Sequence, residues 1–151
     1  MTGTLSYLLE KDRILEVVNR LFIGTDNRDW PAVKECFADR VLFDMTSMAG
    51  GEPAVMTPQQ ITDGWEQGLH GLAAIHHQAG NFLVTFGDGG ADVFCYAIAL
   101  HYLPNTAGGS VRRFVGGYDL HLANLDGSWR IDRFRFNLKF IDGNLSLGGE
   151  G

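Results

Sequence analysis

The feature that most restricts this 151-residue chain is a change of apolar period near residue 74. Upstream, apolar residues recur every three or four positions; downstream they alternate, with turn sequences between the alternating runs. Helices therefore come first and a long antiparallel sheet follows, an α+β order within a single domain spanning 1–151.

The first helical pattern covers residues 5–27, with Leu8, Leu15, Val18 and Phe22 on one face and Glu10, Lys11, Glu16 and Arg20 elsewhere. Gly24 loosens its last turn. Asp29 then caps a second, short helix that has Pro31 in its first turn and Val33, Cys36 and Phe37 on its buried side. Residues 41–45 form a brief strand pattern, and residues 46–56 read as a loop. The run Thr57, Pro58, Gln59, Gln60 is a capping-box signature, so a third helix runs to about residue 71 with Ile61, Trp65, Leu69 and Leu72 facing inward. Alternation starts at Ala74; residues 82–86 and 91–103 make a hairpin, a longer turn leads into 111–125, and Asp126 and Gly127 turn the chain into a last strand over 129–140. The glycine-rich stretch 142–151 is expected to be loosely ordered.

The strand at 91–103 is apolar on both faces: Cys95, Ala97 and Ala99 on one, Phe94, Tyr96, Ile98, Leu100 and Tyr102 on the other. One face packs on the helices. Covering the second calls for another copy of the chain, so a homo-oligomer, dimer or trimer, is expected through the outer sheet face.

A formal charge of -6 and a pI of about 5.2 argue against nucleic acid and anionic membranes as partners. Arg112, Arg113, Arg130, Arg133 and Arg135 share strand patterns with Asp119 and Asp132, which reads as a solvated or ion-paired sheet surface. Cys36 and Cys95 form no CxxC, so neither a disulfide scaffold nor a zinc-thiolate site is expected. The N-terminus lacks the pattern of a signal peptide and no apolar run spans a bilayer, so a cytoplasmic setting is the default.

Asp26 is the next residue on the stripe of Leu15, Val18 and Phe22, so an acidic side chain continues a face that should be buried. A carboxylate removed from water needs a hydrogen-bonded or charged partner. His77 and His101 lie on strand patterns that can line the same interior. His101 shares its face with the small residues Cys95, Ala97 and Ala99, which leaves a cavity; His77 shares its face with Ala79 and Asn81, and His76 points the other way. A carboxylate bonded to an imidazole fixes its tautomer and raises its basicity, which suits acid/base chemistry near neutral pH. The same three residues are also a possible two-His-one-carboxylate metal set, without the compact spacing of one. Spacing leaves open that Asp26 ends its helix in an Asx turn and that each histidine is a hydrogen-bonded core or surface residue. Asp29 is assigned to capping, Trp30 and Trp65 to the core, and Tyr96, Tyr102 and Tyr118 to packing with their hydroxyls reaching solvent. No nucleophile elbow, Walker loop or GxGxxG is present.

The order helix, TDNRDW, strand, capped helix, HHQAGN, long hairpin and GGYDLHLANLDGSWRIDRF resembles the SnoaL-like, scytalone dehydratase-like branch of the nuclear transport factor 2-like superfamily, from about Asp12 to Phe140. The resemblance implies a cone-shaped barrel: a curved antiparallel (mixed) sheet wrapped around a long N-terminal helix, with two further helices and a pocket between. It implies catalytic roles for Asp26, His101 and His77 by likeness to scytalone dehydratase, and for Asp26 and His77 by likeness to hexachlorocyclohexane dehydrochlorinase. Both reactions begin with a histidine taking a proton and need no cofactor or metal. Tyr118, Met45, Asn81, Phe22 and Trp65 are the candidate substrate-binding residues. Two tyrosines of scytalone dehydratase fall at Thr25 and Met45, its serine and asparagine near Gly116 and Tyr118, and the arginine and lysine of the dehydrochlorinase have no clear equivalents. The implied activity is a cofactor-independent lyase, a dehydratase-like elimination from a small apolar enolisable molecule. The alternatives are a ketosteroid isomerase-like or polyketide cyclase-like isomerase, and a non-catalytic ligand-binding or oxygenase small-subunit-like protein.

Overall fold

The computed structural model describes residues 3–147. Helix α1 (Gly3–Asp26) buries Ile14, Val18, Leu21 and Phe22 in one stripe against the sheet. Leu15 sits half-buried at the edge of that stripe, and Leu8, expected on it, is 52% exposed. Six residues at 3.6 per turn place Leu8 roughly 120° around the helix from Ile14, off the buried face. The helix stops where Arg28 adopts a left-handed φ of 54° and the Asp29 N–H bonds back to the Gly24 carbonyl at 2.8 Å. Gly24 has a packing role rather than a loosening one: a Cβ there would lie 2.9 Å from Val33 Cγ2, so its absence lets the next helix lie close.

Helix α2 (Trp30–Glu35) is capped by Asp29, whose side chain accepts from the Ala32 N–H at 3.3 Å. Phe37 begins strand β1 (Phe37–Asp44) instead of closing this helix, so the first strand starts earlier than its apolar pattern suggests. Residues 46–56 are also more ordered than a loop. They contain α3 (Thr46–Ala49) and β2 (Ala54–Met56), which pairs antiparallel with β1. The start of α3 is fixed by Asp44, which accepts from both the amide and the hydroxyl of Thr46, and Ser47 Oγ donates to the Phe136 carbonyl at 2.7 Å. Helix α4 (Pro58–Leu69) carries the expected capping box of Thr57 and Gln60. Three helical segments thus follow α1 instead of two, the extra one being the four-residue α3.

The sheet adds β3 (Ala74–Gly87), β4 (Gly90–Tyr102), β5 (Val111–Leu125) and β6 (Ser128–Gly143) in the order β2-β1-β6-β5-β4-β3. All neighbours are antiparallel except β1 with β6, so the sheet is mixed, and it curves around α1 as the family resemblance implies. Irregular register at Gly80/Leu83 in β3, and opposite Val115/Gly116 where β6 carries the extra residue Lys139, supplies part of that curvature. At Gly116 a Cβ would fall onto the Asn137 carbonyl oxygen, so only glycine fits. Asp126 and Gly127 both have positive φ, which makes the β5–β6 connection the tight two-residue turn that twisted strands favour.

Alternation then sorts the side chains. Val93, Cys95, Ala97, Tyr118, Leu120, Leu122, Ile131, Phe134 and Phe136 face α1 and are buried. Tyr96, Ile98, Tyr102, Leu83 and Phe140, on the outer side, are each more than two-fifths exposed in the single chain. The stretch expected to be loose from residue 142 is held in place through residue 147: β6 continues to Gly143, and Leu147 is 1% exposed against Leu72 and Ile75. The rest of that stretch, 148–151, lies outside the described residues. Among the described residues no helix is long and apolar enough to cross a membrane.

Candidate active site

A cavity of about 440 Å³ opens between α1, α4 and the concave sheet face. Phe22, Met45, Trp65, Phe114, Tyr118, Phe134 and Phe136 make its wall largely apolar, and His77, His101 and Arg112 supply the polar groups. Small residues on β4 leave room for it, as Ala99 at the wall illustrates. Tyr118 sits on the concave face between Phe22, Phe134 and Phe136, with ring centroids 4.9 to 5.3 Å apart. Burial raises its phenol well above the ordinary range, so it stays protonated.

Asp26 is placed by the last turn of α1 and reaches across to β3. Its Oδ2 accepts the His77 backbone N–H at 2.9 Å, and its Oδ1 lies 2.6 Å from His77 Nδ1. Both carboxylate oxygens are therefore committed to one residue, 51 positions away in sequence, and both side chains are largely buried. An ionised carboxylate only accepts, so Nδ1 carries the proton and the lone pair is left on Nε2. Phe22 stacks beside the imidazole at 5.4 Å, which fixes the ring plane. The Asx-turn reading of Asp26 gives way to a long-range pair.

His101 has a different partner. Arg112 Nη2 lies 2.9 Å from its Nδ1. A guanidinium only donates, so this Nδ1 is the acceptor and the proton sits on Nε2. The two histidines are thus opposite tautomers: His77 offers a lone pair and His101 offers an N–H. Among the described residues the single buried side-chain polar atom without a partner is Arg112 Nε, so both Nε2 atoms keep access to the cavity. The register pairs His77 with Ala99, two residues from His101 on the same face, which leaves roughly 7 Å between the two Cβ atoms.

Burial first, and the Arg112 charge second, lower the His101 pKa from 6.5 to about 4, with His77 adding and Asp26 opposing. The ring is neutral at pH 7. Its unfolded form takes up a proton near pH 6.5 while the folded form stays neutral to about pH 4, so the unfolded state binds more protons in that window. Stability therefore falls as pH drops from 6.5 to 4, by about 3 kcal/mol from this group at order of magnitude. In His101→Gln that component is expected to vanish. Urea midpoints at pH 7 and pH 4.5 check it, and equal pH slopes in variant and wild type would remove the buried neutral histidine from the account.

Asp26, His77 and His101 do not converge as metal ligands. Among the described residues no group of three His, Cys, Asp or Glu is placed to hold an ion, and the Arg112 charge beside His101 would repel a cation there. Cys36 and Cys95 are buried, and burial pushes each thiol up to about 11, so neither is a ready nucleophile.

Phe22, Met45, Trp65 and Tyr118 lie on the cavity wall, where the sequence analysis placed substrate contacts. Asn81 does not. It stands exposed at the irregularity of β3 with φ 57°, because the extra residue there breaks the alternation that linked it to His77. Trp65 has a double role, also packing on Phe37, Phe43 and Phe134. Arg112, read with its neighbours as surface, is half-buried on the cavity wall; Arg113, Arg133 and Arg135 do pair on the surface, with Asp142, Asp92 and Asp44. Phe114 and Met48 were also missed. Period two backwards from Tyr118 gives Gly116, Phe114 and Arg112 on one face, which is the signal that identifies the first two.

The SnoaL-like domain matches residues 6–135 of the chain. No curated protein sequence matches it. Among solved structures, the Kfla4162 protein from Kribbella flavida superposes with a TM-score of 0.85 at 18% identity, over 90% of this chain and 95% of that one. A provisionally assigned scytalone dehydratase from Novosphingobium aromaticivorans gives 0.80 at 15% identity, over 93% and 91% of the two chains. A hexachlorocyclohexane dehydrochlorinase from Novosphingobium barchaimii gives 0.79 at 14% identity, over 96% and 97%. At these identities the likeness is one of fold.

Proposed function

We propose, for a chain that belongs to the SnoaL-like domain family, that its cavity carries out a proton-abstraction reaction of the lyase class on a small, largely apolar, enolisable molecule. The observation that carries this reading is the Asp26–His77 pair with its free Nε2 facing an apolar cavity. His77 Nε2 takes a proton from the carbon next to a carbonyl. The C–H electron pair becomes a C=C bond, and a leaving group on the adjacent carbon departs with its own bonding pair. Asp26 holds the tautomer and stabilises the imidazolium that forms. His101 Nε2–H donates to the carbonyl oxygen as negative charge develops, and a neutral imidazole is well suited to that because it gives a hydrogen bond without losing its proton. Tyr118, protonated at any pH near neutral, is a second donor on the wall.

Base, donor and charge stabiliser are all side chains, so the proposed reaction calls for no cofactor. Two structural neighbours bear the names of eliminating enzymes, a dehydratase and a dehydrochlorinase, which supports elimination over other outcomes of the same first step. The test is exchange in D₂O. Small cyclic ketones and β-hydroxy ketones, incubated with the protein and followed by proton NMR, are expected to lose their α-proton signals faster than in buffer, with elimination product from those that carry a leaving group. His77→Gln should abolish the acceleration. No acceleration across the panel, or acceleration that survives in His77→Gln, would leave the cavity a binding site without acid/base chemistry.

A further inference from the structure

The cavity holds a positive charge that nothing in its wall neutralises. Arg112 enters from β5 beside His101, and one Nη2 proton goes to that ring. Beneath the guanidinium lies the Phe114 ring, 5.3 Å from its centre. No carboxylate pairs with it among the described residues, in contrast to Arg113, Arg133 and Arg135 on the surface. Its Nε is buried without any partner. Leaving a buried donor of a charged group unsatisfied costs more than leaving a neutral one, and a cation in an apolar pocket attracts whatever anion fits.

We propose that Arg112 is an anion-recognition residue and that the molecules this cavity takes carry one carboxylate on a largely apolar body. The proposal rests on reading the cavity as a substrate site, and it narrows the substrate class of that site. A guanidinium presents parallel N–H groups that match a carboxylate's two oxygens. One Nη2 proton is already given to His101, which leaves Nη1 and the other Nη2 proton without a partner among the described residues. A single cation also sets the charge: a phosphate monoester would bring two negative charges against one positive and leave the second unpaired among aromatic rings. The largely apolar wall suits the rest of the molecule.

The arrangement has a consequence for the chemistry. Because Arg112 also holds His101 as the Nε2–H tautomer, a carboxylate seated on Arg112 lies next to the donor that receives the developing charge. The anchoring group and the reacting carbonyl then belong to one small molecule, with His77 facing the carbon between or beyond them.

The test is binding, which needs no turnover. Phenylacetate and its uncharged isostere phenylacetamide are titrated into the wild-type protein by calorimetry and by the shift of the His101 and Trp65 NMR signals. Phenylacetate is expected to bind at least tenfold tighter than the amide. In Arg112→Gln the preference should fall to near unity, and Arg112→Lys should restore part of it. Equal affinities in the wild type, absence of binding by both, or a preference that survives in Arg112→Gln each overturn the proposal. The wild-type comparison stands even where a variant does not fold. Asp26→Asn and His77→Gln should keep the carboxylate preference, so failure of acid/base chemistry and failure of anion recognition are read separately.

Discussion

Asp26→Asn is expected to lower turnover of any compound the wild type processes by about 10²- to 10⁴-fold while the fold stays intact. The reason lies in how the carboxylate is used. Oδ2 accepts the His77 backbone N–H and Oδ1 takes the Nδ1 proton. An asparagine amide placed there keeps the first bond through its carbonyl oxygen, because the backbone N–H can only donate. Its NH₂ then faces His77 Nδ1, and two donors cannot bond to each other. The imidazole answers by moving its proton to Nε2, so the atom facing the cavity becomes a donor and can no longer accept a proton. Geometry is preserved and the base is removed. Steady-state kinetics beside circular dichroism check this, and unchanged turnover in a folded Asp26→Asn protein would take Asp26 out of the mechanism.

Phe134→Ala carries the largest expected cost in stability. Phe134 is 2% exposed and touches four aromatic partners: Phe43 stacked at 5.1 Å, Tyr118 at 5.3 Å, Trp65 at 5.5 Å and Phe37 at 6.3 Å. These come from β1, β5 and α4, so one ring on β6 joins the parallel β1–β6 pair to the helix that closes the cavity. Truncation removes the transfer free energy of the ring and leaves a void that four rigid neighbours cannot fill, which costs about 3–5 kcal/mol. In a domain of this size that lowers Tm by roughly 10 °C. Phe134→Leu, which retains most of the volume, is expected to lose less than half as much. Urea unfolding of the two variants checks the order. A loss below about 1 kcal/mol for the alanine variant would mean that the cavity collapses onto the gap.

The sequence carried the candidate base pair only in part. Asp26 was legible because the stripe of Leu15, Val18 and Phe22 continues to it at helical spacing, and a carboxylate on a buried stripe calls for a partner. His77 and His101 were legible from the alternation that starts at Ala74. Which of them Asp26 meets was not, because that depends on strand register and on the angle at which α1 crosses the sheet, neither of which leaves a local mark. Asn81 was misplaced for a related reason: one irregularity in β3 undoes the period-two rule beyond it. Arg112 is masked by the run of arginines and aspartates around it in the sequence. Adjacent residues of a strand point to opposite faces, so Arg112 and Arg113 cannot both be surface residues of a two-sided sheet, and one of the pair had to point inward. The segment 46–56 hid α3 and β2 because its helix start depends on Asp44 and Ser47 bonds that propensity does not foresee. The order of helices and strands, by contrast, followed from the two apolar periods and from the capping box at Thr57, which are local signals.

The acid/base pair is tested most directly by the tautomer of His77, read from ring ¹⁵N shifts and long-range proton couplings in the wild type and in Asp26→Asn at pH 7.5. A protonated Nδ1 and a bare Nε2 are expected in the wild type, and the reverse in the variant, with His101 a Nε2–H tautomer in both. A His77 ring that is Nε2-protonated in the wild type, or that does not change when Asp26 loses its charge, would contradict the acid/base pair.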